Sequence, residues 1–231
     1  MSHGAGRALP AAQARALAAA FLPSRWHYHY ARSKLASDPL YPGVVAALAG
    51  SRAAVLDLGC GIGLLAHVLA RAGLALDYLG VDNDAGKIAV AQAAAARAGL
   101  DRARFATVDL AAGFPDHRGS VALLDVLQFL PRDAQSPLLA RAAGALAGDG
   151  RLVIRTGLAD GNWRSRVTRA VDVLSRWLRW MNAGPDRYPT RAGLEAELGA
   201  LGLSARFSPL WGRTPFNNWL VLASPGGRTA A

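Results

Sequence analysis

The segment Val55-Leu56-Asp57-Leu58-Gly59-Cys60-Gly61-Ile62-Gly63 constrains this chain more than any other. A short apolar run meets glycines at alternate positions, and a helical pattern from Leu64 to Ala72 begins at once. Glycines in such a turn permit positive φ and let the backbone approach a ligand closely. The ligand then meets backbone N–H groups at a helix N-terminus. The spacing is G-x-G-x-G, not the G-x-G-x-x-G of dinucleotide sites. Asp57 sits inside the turn as well, where a pyrophosphate is repelled and a cationic amino-acid group is held.

Around this segment short apolar runs alternate with helical stretches. AAVLDLG, LDYLGVD, RFATVDL, SVALLDVLQF and RLVIRTG read as successive strands, and Leu64 to Ala72 and Ala85 to Ala98 as helices between them. ARFSPLWG and NNWLVLAS read as two last strands. Strands separated by helices of ten or more residues imply parallel pairing, whereas the short link around Pro215 forces an antiparallel last pair. The expected fold class is α/β: one Rossmann-like, mostly parallel seven-stranded sheet with an antiparallel last strand and an N-terminal helical lid. The lid comprises residues 1–50, the ligand-binding core residues 51–224 and an insertion residues 160–190, all within one domain over 1–231. Residues 1–24 read as a loose arm or first helix, with a signal peptide as the minority alternative. Pro23 to Leu48 hold an aromatic-basic helix and a second short helix broken at Pro39 and Pro42. The last helix starts near Ala192.

Composition narrows the class. Cys60 is the only cysteine, which excludes an internal disulfide framework and a multi-cysteine zinc site, and no metal site is expected. No apolar run approaches the roughly 18 residues of a membrane span, and a cytoplasmic protein is expected. Lys and Arg number 26 against 16 Asp and Glu, a net charge of +10. Such a balance suits an acidic partner, whether nucleic acid, an anionic membrane surface or an acidic protein, unless it only reflects arginine-rich codon usage.

Polar residues recur at the ends of consecutive strands, where open α/β sheets bind ligands. The second strand ends in Asp82-Asn83-Asp84, and an acid there can accept both hydroxyls of a ribose; Asn83 and Asp84 can equally cap the next helix. The third ends in Asp109-Leu110, offering a carboxylate to an exocyclic amine. The fourth ends in Asp125-Val126-Leu127-Gln128.

VLDLGCGIG, GVDND, TVDL and DVLQFLP, in this order between Ala53 and Ser224, resemble the class I S-adenosylmethionine-dependent methyltransferases. The resemblance implies a one-carbon transferase that uses S-adenosylmethionine and releases S-adenosylhomocysteine. It places Gly59, Gly61 and Gly63 around the methionine end of the cofactor, with Asp57 near its amine and Cys60 as a small residue in the turn. Asp82, with Asn83, takes the ribose. Asp109 faces the adenine amine, and Leu110 or Ala111 the ring. Asp125, Val126 and Gln128 line the wall between cofactor and acceptor.

Two additions point to the acceptor. Arg25 to Tyr41 is dense in aromatic and titratable groups; on a helix Trp26 and Tyr30 share a face. It reads as a lid over the site or as an aromatic stripe that docks a helix. His27 or His29, assisted by Tyr30, is the candidate base or acceptor-orienting group, and Trp26 a candidate acceptor contact. His67 reads as structural. Arg155 can bind an acceptor carboxylate or carbonyl, or pair with Asp125. Asn162 to Thr190 fits an amphipathic helix with Trp163 on its apolar side and Arg164, Arg166, Arg169, Arg176 and Arg179 opposite. That cationic side is a solvated face or a dock for an acidic acyl carrier protein or anionic lipid, chiefly through Arg164, Arg169 and Arg176. RWHYHYARSKLASDPLY with RLVIRTGLADGNWR also resembles small methyltransferases that accompany aryl-polyene and polyketide-type biosynthesis, which implies a small aromatic or acyl acceptor, carried on a protein in some cases. The alternatives are a nucleic-acid methyltransferase, disfavoured because DVLQ replaces the Asn/Asp-Pro-Pro-aromatic motif, and a non-catalytic S-adenosylmethionine-binding partner protein.

Overall fold

The computed structural model describes residues 6–159, 188–211 and 217–226. Its centre is a seven-stranded sheet in the order β3-β2-β1-β4-β5-β7-β6. The strands are β1 Val55–Leu58, β2 Tyr78–Asp82, β3 Ala103–Thr107, β4 Ser120–Leu124, β5 Leu152–Gly157, β6 Leu203–Pro209 and β7 Asn218–Pro225. β1 to β5 pair in parallel, and β7 lies antiparallel between β5 and β6. This is the expected fold class, a mostly parallel sheet with an antiparallel last strand.

Alternation along each strand divides the core between the two faces. Val55, Ala122, Val153 and Leu220 join one apolar cluster with α1 Ala11–Ala18, α2 Arg25–Ser37, α3 Leu40–Leu48, α4 Leu64–Arg71 and α5 Ala85–Arg97. Leu56, Leu58, Val121, Leu123, Ile154 and Val221 join the other with α6 Arg132–Gly144 and α7 Arg191–Ala200. The same alternation sets Asp57 and Arg155 on the Val55 and Val153 side, beneath the N-terminal helices.

The N-terminal helices match expectation in part, with the first-helix alternative holding for the arm and the break at Pro42 not. The arm forms a helix, and α1 buries Ala14 and Ala18. α3 runs through Pro42 without a break. Pro42 occupies the first turn, where a backbone N–H has no partner inside the helix, so its loss is harmless. Ser24 caps α2 by accepting from the His27 amide. α2 docks through buried Ala31 and Leu35, with Tyr28 packed beside them, so Trp26 and Tyr30 are not the docking stripe.

The fourth strand is shorter than SVALLDVLQF suggested. β4 stops at Leu124, Asp125 turns to φ 62°, and Leu127–Phe129 forms a 3-10 turn. An apolar run does not by itself distinguish a strand from the turn that ends it. α6 was not marked by the sequence pattern; it is rich in alanine and carries Pro137 in its second turn. The expected insertion, residues 160–190, lies largely outside the described residues, and with it Trp163, Arg164, Arg166, Arg169, Arg176 and Arg179. Among the described residues no helix is long and apolar enough to cross a membrane.

His67 of α4 is buried against Phe21, ring centroids 5.1 Å apart, and its Nε2 has no partner. Burial pushes its pKa down to about 4, against 6.5 in an unfolded chain. The unfolded chain therefore protonates first. This contribution to stability is full above pH 6.5 and is lost as pH falls towards 4. His67→Phe is expected to gain stability relative to the wild type across that window, measured by thermal melts at each pH. A difference that stays constant with pH contradicts this account of His67.

Candidate cofactor and acceptor site

β1 delivers the chain into the turn that α4 follows. Gly59, Gly61 and Gly63 take φ values of 77°, 57° and 79°, which side-chain-bearing residues rarely adopt. The turn is anchored to β2: the Gly59 and Cys60 amides both donate to the Val81 carbonyl, at 2.7 and 2.9 Å. The Gly61 amide donates to Asp82 Oδ2 at 3.0 Å. A Cβ on Gly59 would lie 2.6 Å from Val126 Cγ2, and one on Gly63 would lie 2.7 Å from the Phe105 ring. At Gly61 no protein atom lies within 4 Å of such a Cβ. The middle of the turn therefore faces open space while its two ends are packed. Cys60 is half-buried, its Sγ 2.9 Å from where a Gly80 Cβ would stand, so it fills the gap between turn and β2. Burial pushes its thiol well up, away from thiolate chemistry.

Asp57 is buried under the turn. Its Oδ2 accepts from the Tyr78 hydroxyl at 2.5 Å, and its Oδ1 has no partner. Burial raises its pKa to about 7; the Tyr78 hydrogen bond opposes the rise and the nearby Asp82 charge adds to it. Asp82, also buried, accepts from the Gly61 and Asp84 amides and lies 3.8 Å from Lys87 Nζ. Asp84, with its side chain on the Gly86 and Lys87 amides, is the cap of α5. Asn83 is exposed beside it. Asp109, exposed after β3, accepts from the Ala111 amide at 2.9 Å, with Leu110 half-buried behind it. Gln128 is buried, its Oε1 3.4 Å from the Thr156 hydroxyl.

The structure thus brings Asp57, the glycine turn, Asp82, Asp109, Asp125 and Val126 to the carboxyl ends of adjacent strands. His27, His29 and Tyr30 stand on α2, and no hydrogen bond or ion pair links them to that group. His27 Nδ1 is 2.8 Å from Ser24 Oγ. His29 is exposed beside Tyr28. Trp26 and Tyr30 are 61% and 41% exposed and stack in parallel, 3° apart in plane and 5.6 Å between centroids. Of this group His27 is half-buried, whereas His29, Trp26 and Tyr30 are exposed. Burial chiefly, then Tyr30 and Asp38, raise the Tyr41 pKa well above its usual value.

Arg155 donates to Asp125 and lies 3.2 Å from Asp38 Oδ2, which also takes Lys34 Nζ at 2.7 Å. Burial works against the Asp38 carboxylate, but Arg155 and Lys34 outweigh it and hold the pKa below its ordinary value. Asp38, Tyr41 and Tyr78 were not singled out from the sequence. Asp38 and Tyr41 close the string RWHYHYARSKLASDPLY, and Tyr78 opens β2; their buried polar role arises only once α3 and β2 are packed.

The sheet order, the glycine turn tied to an acid on the next strand, and a buried carboxylate oxygen with no partner define the Rossmann-like fold of the class I methyltransferases. Residues 55–150 match the family model for the methyltransferase domain. It is similar to a ubiquinone biosynthesis O-methyltransferase from Azorhizobium caulinodans, at 34% identity over 152 residues, 64% of this chain; the chain spans 57% of that relative's length. Magnesium protoporphyrin IX methyltransferase from Synechocystis PCC 6803, solved with S-adenosylhomocysteine, superposes with a TM-score of 0.62 at 24% identity, covering 81% of this chain and 82% of its own. An O-methyltransferase of neocarzinostatin biosynthesis, solved with S-adenosylmethionine and 2-hydroxy-5-methyl naphthoic acid, gives 0.59 at 22% identity, covering 80% and 53%.

Because Asp57 is raised to about 7 from 3.8, its contribution to stability is full below pH 3.8 and is lost as pH rises through 7. Asp57→Asn keeps an acceptor for Tyr78 and removes the ionisation. Its stability relative to the wild type is expected to rise between pH 4 and pH 8, the opposite sign to a histidine effect, as read by denaturant melts. A relative stability that falls or stays level over that range contradicts the assignment.

Proposed function

We propose that this protein transfers the methyl group of S-adenosylmethionine to a hydroxyl of a small, planar acceptor. One observation carries the reading: Asp57 Oδ1 is buried without a partner beside a turn whose centre, Gly61, faces open space. An ammonium group satisfies that oxygen and favours its ionised form. Asp82, one strand over, suits a ribose, and Asp109 with Leu110 suits an adenine. The residues present therefore fit the cofactor. Two neighbours in fold agree with the reading: one is solved with S-adenosylhomocysteine and the other with S-adenosylmethionine.

When bound, the cofactor supplies a methyl group on a positively charged sulfur, whose departure as a neutral thioether needs no acid. The chain's own work is alignment and the uptake of one proton. Alignment of reacting atoms supplies several kcal/mol, about 7 to 11 in the best intramolecular cases. The acceptor hydroxyl loses its proton as its oxygen gains the methyl. His27 is our candidate to accept that proton: Ser24 engages Nδ1 and leaves Nε2 for the acceptor. His29 and Tyr30 stand on the same helix as alternates. The parallel faces of Trp26 and Tyr30 suit a planar ring. The acceptors named for the neighbours, a porphyrin and a naphthoic acid, are planar too. Arg155 Nη1 already faces Asp125 and Asp38, which leaves it no net charge to offer an acceptor carboxylate, while its buried Nε has no partner.

Gly61 and Gly73 allow a controlled test. Both have positive φ, 57° and 76°, and no protein atom within 4 Å of a built Cβ. Alanine at either position costs about 1–2 kcal/mol of backbone strain. S-adenosylhomocysteine is expected to raise the melting temperature of the wild type and of Gly73→Ala equally, to raise that of Gly61→Ala far less, and to leave Asp82→Ala unshifted. Equal shifts in Gly61→Ala and Gly73→Ala contradict the cofactor placement.

A further inference from the structure

Arg155 is 5% exposed within β5, on the face that α2 and α3 cover. Burying a guanidinium costs several kcal/mol unless carboxylates and hydrogen bonds offset it. Two carboxylates do so, and they belong to different parts of the molecule. Asp38 joins the end of α2 to the start of α3, with Oδ1 accepting the Leu40 amide at 3.0 Å and Oδ2 shared by Lys34 and Arg155. Asp125 belongs to the pocket wall. It is the one non-glycine residue with positive φ among those described, a conformation that costs roughly 1–2 kcal/mol.

Arg155 holds Asp125 in that conformation twice. Its Nη1 donates to Asp125 Oδ2, and its carbonyl accepts the Asp125 amide at 2.9 Å. The next residue, Val126, is the one whose methyl group leaves no room for a Cβ on Gly59. A continuous path of contacts therefore runs from Lys34 and Asp38 through Arg155 to Asp125, Val126 and the glycine turn. With Lys34 and Arg155 positive and Asp38 and Asp125 negative, the cluster is balanced, which suits a fastener rather than a hook for an anion.

We infer that Arg155 is a positioning residue that couples the docking of α2 and α3 to the shape of the cofactor pocket at Asp125 and Val126. The inference rests on the reading of that pocket as the S-adenosylmethionine site. It makes Asp38, which belongs to the helical layer and not to the pocket, an influence on cofactor affinity. A purely structural ion pair would influence stability alone.

Isothermal titration of the full chain with S-adenosylhomocysteine separates the two. Asp38→Asn is expected to weaken binding at least about fivefold, the lower end of ordinary coupling between sites. Arg155→Met is expected to weaken it more, Arg155→Lys to restore part of the loss, and Asp38→Asn to add little once Arg155 is Met, since the two act through one contact. Leu198→Ala, a buried cut in α7 on the opposite face, is the control: it lowers the melting temperature and leaves affinity unchanged. Should Arg155→Met fail to fold, Asp38→Asn and Arg155→Lys decide alone. Wild-type binding with Asp38→Asn and Arg155→Lys both within twofold of it overturns the inference and leaves the cofactor reading standing. A wild type that binds no S-adenosylhomocysteine overturns both.

Discussion

Two consecutive amides, Gly59 and Cys60, share the Val81 carbonyl, and the candidate site depends on that junction. It draws the glycine turn over the end of β2 and brings the Gly61 amide to the Asp82 carboxylate. Both ends of the turn are then packed, by Val126 at Gly59 and by Phe105 at Gly63, and only its centre is open. The shape of the opening is thus a consequence of where three strands end. β1 supplies the turn, β2 the acid beneath it and β4 the wall beside it.

Asp57 gives this shape its chemical preference. A carboxyl group raised to about 7 by burial, with one oxygen on Tyr78 and the other unpartnered, stores unfavourable free energy in the ligand-free protein. A cation relieves it and an anion worsens it. On the proposed reading this is what favours an amino-acid end over a pyrophosphate. Buried groups with shifted pKa values gather at functional sites for this reason. His67, buried and shifted in the opposite sense, packs instead against the Phe21 ring.

The glycine turn and the strand-end acids of the proposed cofactor site were legible because their determinants are local. Glycine spacing, an acid in the strand just before the turn and an acid at the next strand end lie within 28 residues, from Val55 to Asp82, and each has a backbone reason to be where it is. The seven strands were legible from apolar runs, although the run SVALLDVLQF concealed the reversal at Asp125. The reversal is held by the pairing of Asp125 with Arg155, one of the two partners the sequence offered for Arg155, but the positive φ that the pairing holds leaves no mark in the local pattern. Pro42 misled for a related reason: a proline breaks a helix in its interior but not in its first turn, and the α3 start is set by Asp38 capping Leu40. Asp38, Tyr41 and Tyr78 acquire their roles only through packing. The acceptor side is least legible, since one α2 face docks through small Ala31 and Leu35 and leaves the aromatic pair outside.

The central claim is that the strand ends around Asp57, Gly61 and Asp82 hold S-adenosylmethionine. A crystal structure with S-adenosylhomocysteine tests it most directly. The account predicts an amino group within hydrogen-bond distance of Asp57 Oδ1, directly or through one water, and ribose hydroxyls on Asp82. A ligand seated elsewhere, or Asp57 Oδ1 and Asp82 both free of it in a ligand-bound crystal, would contradict the account.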